Sequence, residues 1–233
     1  MTLAKAMILA AGRGERMRPL TDRCPKPMLE VRGKPLMQYH VEALRRGGHA
    51  GIVVNTAWLE EQITQRFGGD PGLAFSQEGR DFGGALETAG GIARGLPLLD
   101  DGFWVVGGDV HVPQFAFDAK HRDAFLASGK LAHIFMVPNP AHNMKGDFAL
   151  RADGVVLREG SPRYTYSTIG IYRKAFFETL PAGNPEGRKA PMLPLMLAAI
   201  DREQMTGEIY TGPWTDVGTP ERLAALNATS AAE

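Results

Sequence analysis

The chain has 233 residues, 44% of them hydrophobic, enough for one large core and a single domain. The lone cysteine, Cys24, excludes an intrachain disulfide and a thiolate metal cluster; no apolar run approaches the ~18 residues that cross a bilayer, and residues 1–5 are too short and mixed for a signal peptide, so a cytoplasmic protein is expected. The net charge is zero but uneven: residues 1–48 carry ten lysines and arginines against four acidic residues, a local +6.

Residues 4–9 form an apolar run of strand length, and Ala10-Ala11-Gly12-Arg13-Gly14 breaks it where a chain would leave a parallel sheet at its carboxyl edge. Ligands bind at that edge, and glycines there let backbone N–H groups approach an anion. Arg13, Arg16, Arg18, Arg23 and Lys26 place five cations in the same short stretch, so a polyphosphate is the expected partner. A dinucleotide fingerprint is excluded because Met17 stands where its third glycine belongs and the next strand ends in Asn55, not an acid. A Walker loop is excluded because no Gly-Lys-Ser/Thr follows. The cations surround a glycine turn without interleaved aromatic side chains, which favours a small polyanion over nucleic acid.

Residues 35–46 have Leu36, Met37, Val41 and Leu44 at helical spacing and stop at Gly47-Gly48. A strand over 51–55, a helix over 58–67 with Leu59, Ile63 and Phe67 on one face, and a strand over 73–77 continue a βαβ alternation. Residues 78–84 read as a loop, either over an active site or a plain connector. A helix over 87–99 opened by Thr88 precedes a buried strand over 103–106 that runs into Gly107-Gly108-Asp109. A carboxylate behind two glycines at a strand end either caps a turn or meets a metal. In the second half the sequence predicts a helix over 120–126 and strands over 131–137, 148–151, 155–158 and 164–172. A helix over 191–201 with Leu193, Leu197 and Ile200 inward follows, and Ile209-Tyr210 leads on to Trp214. Thr219 then caps a last helix with Pro220 at its first position; Asp216, three residues before that cap, is either a turn residue or a metal ligand. No two histidines stand four apart, no nucleophile elbow occurs, and no hexapeptide repeat is visible.

The string from Leu9 to Thr21 with Pro25-Lys26-Pro27, together with Leu86-Glu87-Thr88-Ala89-Gly90-Gly91, Gly107-Gly108-Asp109, Gly146-Asp147-Phe148 and Trp214-Thr215-Asp216-Val217-Gly218-Thr219, resembles the signature of the sugar-1-phosphate nucleotidyltransferases. The resemblance covers nearly the whole chain. It implies an α/β fold, Rossmann-like, with three α/β/α layers around a mostly parallel mixed sheet. One domain over 1–233 would hold its nucleotide-binding part at about 1–112 and its sugar-binding part at about 113–233. The implied partners are a nucleoside triphosphate and a sugar 1-phosphate, without nucleic acid or membrane, and Mg²⁺ is the implied cofactor. Within the family the similarity is to short members that join UTP to N-acetylmuramate 1-phosphate in cell-wall sugar recycling; mannose-1-phosphate guanylylation, glucose-1-phosphate thymidylylation or uridylylation, and a non-catalytic nucleotide-sugar-binding regulator are the alternatives.

Matched residue by residue, the resemblance implies catalytic roles for Arg16, Lys26 and Asp109, nucleotide contacts at Ala10, Ala11, Gly12, Arg13, Gly14, Leu86, Glu87 and Gly90, and sugar contacts at Gly146, Glu159 and Thr168. Asp109 and Asp216 would hold the metal. One departure stands out: many relatives follow the glutamate with a lysine for the sugar phosphate, and here Gly160 follows Glu159, leaving Lys26, Lys145 or Arg163 for that task. The chemistry asks for positioning more than for proton transfer. A sugar 1-phosphate, with a second pKa of about 6, is largely dianionic near neutral pH and needs no protein base to attack the α-phosphorus.

Overall fold

The computed structural model describes residues 4–228. In chain order the elements are β1 (Ala4–Ala10), the hairpin strands β2 (Glu30–Val31) and β3 (Lys34–Pro35), α1 (Leu36–Arg46), β4 (Ile52–Thr56), α2 (Glu60–Phe67), β5 (Leu73–Gln77), α3 (Glu78–Phe82), α4 (Glu87–Gly95), β6 (Leu99–Gly107) and β7 (Val110–His111). They continue with α5 (Ala119–Ser128), β8 (Ala132–Val137), β9 (Phe148–Leu150), β10 (Val156–Leu157), β11 (Arg163–Tyr172), α6 (Met192–Asp201), β12 (Met205–Ile209), β13 (Thr215–Asp216) and α7 (Pro220–Ala228).

The main sheet runs β5-β4-β1-β6-β11-β8-β12, with β9 and β10 added at the first residues of β11. Pairing is parallel across β5, β4, β1 and β6 and antiparallel where β11 meets β6, β8 and β9. β1 is central because its residues are apolar on both faces: Ala6, Ile8 and Ala10 pack with α1, α2 and α5, while Met7 packs with α4 and α6. Strands buried on both faces lose the polar alternation of a surface strand. After β1 the chain moves through α1 to β4 on one side, and it returns through α4 to β6 on the other. The reversal leaves a crevice between the carboxyl ends of β1 and β6, the place where open α/β sheets bind ligands.

Most predicted elements stand within two residues of their expected bounds; the exceptions have local causes. The helix expected over 58–67 begins at Glu60, because Leu59 is a left-handed residue at φ 49°, so only Ile63 and Phe67 form its buried stripe. Residues 78–84 are not a loop throughout: Glu78–Phe82 are helical, with Glu78 buried. The helix expected to reach Leu99 ends at Gly95, and it starts from Leu86 without a side-chain cap, so Thr88 does not open it. A one-turn segment through Pro97 follows, since proline cannot extend the α-helical hydrogen-bond ladder, and Leu99 already belongs to β6. In α6, Met192, Met196, Ala199 and Ile200 point inward, while Leu193, expected inside, is 53% exposed. Strand β12 and the short strands β2, β3, β7 and β13 were not expected. Thr219 does cap α7, its Oγ1 accepting Arg222 N–H at 3.4 Å.

His40, 1% exposed on α1, bonds Val110 O through Nε2 at 2.9 Å, and burial holds its pKa down at about 4. A depressed histidine pKa contributes stability that is present above the unfolded value and is lost as pH falls toward the folded one. Between pH 7.5 and 5 the native protein is therefore expected to lose about 2 kcal/mol more than a His40→Gln variant, whose amide still donates to the same carbonyl. Urea denaturation of both proteins at the two pH values measures this; equal losses would show that His40 is not buried neutral.

Candidate active site

The crevice between β1 and β6 opens into a cleft of about 950 Å³. Gly108 N–H donates to Leu9 O at 2.8 Å, which locks the two strand ends together, and Ala10 N–H donates to Asn55 Oδ1 at 2.9 Å, which brings in the end of β4. Ala10, Ala11, Gly12, Lys26, Glu87, Thr88, Asp109, Gly146, Glu159 and Thr168 all line the cleft. Thr168 and Asp109 flank the same glycine: a Cβ on Gly107 would lie 2.6 Å from Thr168 Oγ1 and 2.9 Å from Asp109 Oδ1.

Lys26 is 8% exposed, and its Nζ sits 2.6 Å from Asp109 Oδ2. The chain reaches this point by a tight left-handed turn at Gly14, φ 68°, where a Cβ would crowd Thr21 at 3.0 Å and Lys26 at 3.3 Å. Asp216 is carried to Asp109 by the small β7–β13 ladder, in which Asp216 pairs with Val110 and Val217 N–H donates to Asp109 O at 2.9 Å. Residues 107 positions apart are thus joined through their backbones. Asp216 is held by Arg222 Nη1 at 2.6 Å and faces His142 Nε2 at 3.3 Å. Each carboxylate has a cradle that a side chain would fill: a Cβ on Gly107 would lie 2.9 Å from Asp109 Oδ1, and one on Gly218 would lie 2.9 Å from Asp216 Oδ1.

No cluster of three or more potential metal-ligating side chains occurs among the described residues. Two carboxylates suit a hard cation that keeps its waters and takes further oxygens from substrate phosphates, which is the habit of Mg²⁺. Asp109 and Asp216 are oxygen donors of that kind, each paired here with a cationic side chain, Lys26 and Arg222.

The remaining expected site residues divide into two groups. Arg16 is exposed and forms no ion pair among the described residues, so its guanidinium is open to a ligand. Arg13 is not: it donates to Thr21 O at 2.9 Å and Asp22 Oδ1 at 2.7 Å and lies 3.8 Å over the Trp58 ring, bracing the loop. The Arg13 guanidinium holds the Asp22 carboxyl below its usual range. Arg13, Gly14, Arg16, Leu86, Gly90 and Asp216 do not line the cleft; Leu86 and Gly90 are buried behind it.

At the sugar end, β11 bulges between Tyr166 and Ile169. The bulge puts Thr168 in a left-handed conformation at φ 64°, with Oγ1 buried and unpaired. Such strain outside glycine gathers at functional positions, and Glu87 at φ 61° repeats it across the cleft. Of four cations in the second half of the chain, Arg158 and Arg163 line the cleft, whereas Lys145 and Arg188 do not. Arg163 is engaged by Asp147 O, Arg158 O and Glu159, while the Arg158 guanidinium is held by Asp201.

Sequence reasoning missed Asn55 and Glu78, whose side chains link the β4 end to the turn before α4, and the apolar wall of Met192, Leu193, Met196 and Leu197. A polar residue closing the fully buried strand β4 was the available signal for Asn55. Leu193 gave a misleading one, since its outward turn places it on the cleft.

The nucleotidyl transferase family model matches residues 5–147. The chain is 44% identical to the N-acetylmuramate alpha-1-phosphate uridylyltransferase of Neisseria meningitidis serogroup B, over 98% of this chain and 99% of that one. It is 28% identical to the enzyme of the same name from Caulobacter vibrioides, over 96% and 95% of the two chains. A solved Bacillus anthracis structure described as a glucose-1-phosphate thymidylyltransferase shares the fold at a TM-score of 0.77 and 20% identity, over 96% of this chain and 94% of that one.

Proposed function

This chain belongs to the nucleotidyl transferase family, and on that premise we propose that it joins UTP to N-acetylmuramate 1-phosphate, releasing pyrophosphate, in the recycling of cell-wall sugars in the cytoplasm. The observation that supports the reaction class is one cleft lined by Ala10 to Gly12, by the Lys26–Asp109 pair and by the strained residues Glu87 and Thr168. The substrate pair rests on the near full-length likeness to the Neisseria enzyme.

In this reading the backbone of Ala10 to Gly12 receives the triphosphate, and Arg16 holds the β- and γ-phosphates with its planar fork. Lys26 bridges the α-phosphate and the sugar phosphate, so its charge is closest to the oxygen that attacks and the phosphorus that is attacked. Lys26 therefore also takes the task left open by Gly160. Glu87 and Thr88 face the base, while Gly146, Glu159 and Thr168 face the sugar. The wall from Met192 to Leu197 excludes water and offers a surface for methyl groups. Asp109 and Asp216 would hold Mg²⁺, which supplies charge neutralisation at the phosphates. The attacking oxygen belongs to an already ionised phosphate, so no residue needs to accept a proton. Arg158 is the cation proposed for the lactyl carboxylate of the sugar.

A panel of four nucleoside triphosphates against the 1-phosphates of N-acetylmuramate, N-acetylglucosamine, glucose and mannose, scored by pyrophosphate release, tests the proposal. UTP with N-acetylmuramate 1-phosphate is expected to have the highest kcat/KM. N-acetylglucosamine 1-phosphate lacks only the lactyl group and should have the lower kcat/KM, because the proposed contact of the lactyl carboxylate with Arg158 is lost. A higher kcat/KM for any other sugar would overturn the muramate assignment and leave the reaction class standing.

A further inference from the structure

Glu78 is a buried carboxylate that the reaction derived above does not use. It is 0% exposed, and its two oxygens accept from two separate segments: Oε1 from Asn55 Nδ2 at 2.7 Å, and Oε2 from Leu86 N–H at 2.8 Å. Asn55 passes the contact on, since its Oδ1 accepts Ala10 N–H at 2.9 Å. Ala10 opens the phosphate loop. Leu86 immediately precedes Glu87 and Thr88, which line the cleft. An unbroken run of hydrogen bonds therefore ties the phosphate loop to the turn before α4 through the side chains of Asn55 and Glu78.

The arrangement is specific in its directions. Both neighbours of Glu78 are donors, so only a group with two acceptor oxygens satisfies them together. Burial pushes the Glu78 carboxyl up from its ordinary value, and the hydrogen bonds from Leu86 and Asn55 pull the other way. Glu78 forms no ion pair among the described residues, an uncommon state for a buried carboxylate. The space is closed as well: a Cβ on Gly91 would lie 2.5 Å from Glu78 Oε1 and 2.7 Å from Asn55 Nδ2. Packing needs alone would be met by an apolar side chain here.

We propose that Glu78 is a positioning residue that couples the base-facing turn to the phosphate cradle, so that choice of nucleobase and grip on the triphosphate are set together, an inference that rests on the nucleotidyl-transfer reading above. A displacement of about 1 Å between the two segments would misplace the base relative to the reacting phosphorus.

The test is a donor–acceptor swap. In Glu78→Gln an amide N–H₂ must face one of two donors; in Asn55→Asp two carboxylates face each other. Each single variant is expected to raise KM for UTP roughly tenfold or more, the cost of one buried unpaired group, and to shrink the UTP-over-CTP preference by a similar factor. KM for the sugar 1-phosphate should stay within about twofold, since no sugar-facing group moves. The double variant restores every partner: the amide at 78 donates to the carboxylate at 55 and accepts from Leu86 N–H, while the carboxylate still accepts Ala10 N–H. It is expected to recover most of the lost KM and base preference. Unchanged nucleotide KM and base preference in the single variants, or a double variant no better than either, would overturn the coupling. If the single variants prove too unstable to purify, the double variant decides alone: recovery supports the coupling and loss overturns it. Binding of UTP and CTP by calorimetry, without sugar phosphate, reads the same coupling if turnover with the proposed sugar fails, which separates the two ideas. If the native protein prefers another triphosphate, that nucleotide replaces UTP in the comparison.

Discussion

Replacing Asp109 with alanine is expected to lower kcat by roughly 10³-fold, the scale of losing a charge-stabilising group at a phosphoryl centre, while the protein stays folded. The side chain is 40% exposed at the end of a strand, so its removal opens no cavity in the core. It does remove an oxygen ligand proposed for Mg²⁺ and the anionic partner 2.6 Å from Lys26. Asp216→Ala should fall by a similar factor, because Asp216 is the second carboxylate proposed for the metal, its strand tied to the Asp109 turn by the β7–β13 ladder, and neither carboxylate alone offers a hard cation more than two oxygens. Pyrophosphate release across a Mg²⁺ titration is the measurement, with thermal midpoints recorded alongside. The loss should not be recovered at saturating Mg²⁺. Wild-type turnover in either variant would show that its carboxylate is a turn residue and nothing more.

Lys26→Ala should lower kcat by roughly 10²- to 10³-fold with little change in KM for either substrate, since its contact is proposed to strengthen at the reacting phosphorus. Arg16→Ala should differ in kind. Arg16 is exposed, unpaired among the described residues and outside the cleft lining; as the residue proposed for the β- and γ-phosphates, its loss should raise KM for the triphosphate as well. Lys26→Arg is not expected to rescue: Lys26 is 8% exposed against the Gly14 turn, and a planar guanidinium neither fits that space nor presents a point charge. Steady-state kinetics of the three variants with both substrates varied separate these outcomes. Identical profiles for Lys26→Ala and Arg16→Ala would remove the distinction between their roles.

Glu78→Gln and Lys26→Ala act at different places, one buried behind the cleft and one on its lining. The first is proposed to loosen the distance between base and phosphates, the second to remove charge at the reacting centre. Their effects are expected to add on a free-energy scale if the Asn55–Glu78 link serves only the nucleotide.

A loop at the carboxyl edge of the first strand was legible because its causes are local. Apolar residues over 4–9 make a strand wherever they are buried, glycines at 12 and 14 make a close backbone approach, and five cations within fourteen residues repel one another unless an anion joins them. Helices α1 and α5 and strands β5 and β8 were legible for the same reason, since periodicity and glycine stops act within a few residues. Motif strings spread over the chain pointed to the reaction class without any geometry.

Contacts between distant residues were decided only by the tertiary structure. Asp216 alone is a turn residue three positions before a cap; pairing of β13 with β7 makes it a neighbour of Asp109. Arg13 reads as a phosphate ligand in its string, but Trp58, Thr21 and Asp22 draw it into the loop. Leu193 follows the helical period of a core position, and the cleft between α6 and the sheet turns it to the ligand side. Glu78 falls in a glycine-rich stretch that resembles a connector, and the ends of β1 and β4 together with Gly91 supply the buried slot that gives it two partners. Propensity and spacing act along the chain, so sequence determines elements and motif content; burial and hydrogen-bond partners depend on which elements the sheet order brings together, and that is a property of the whole fold.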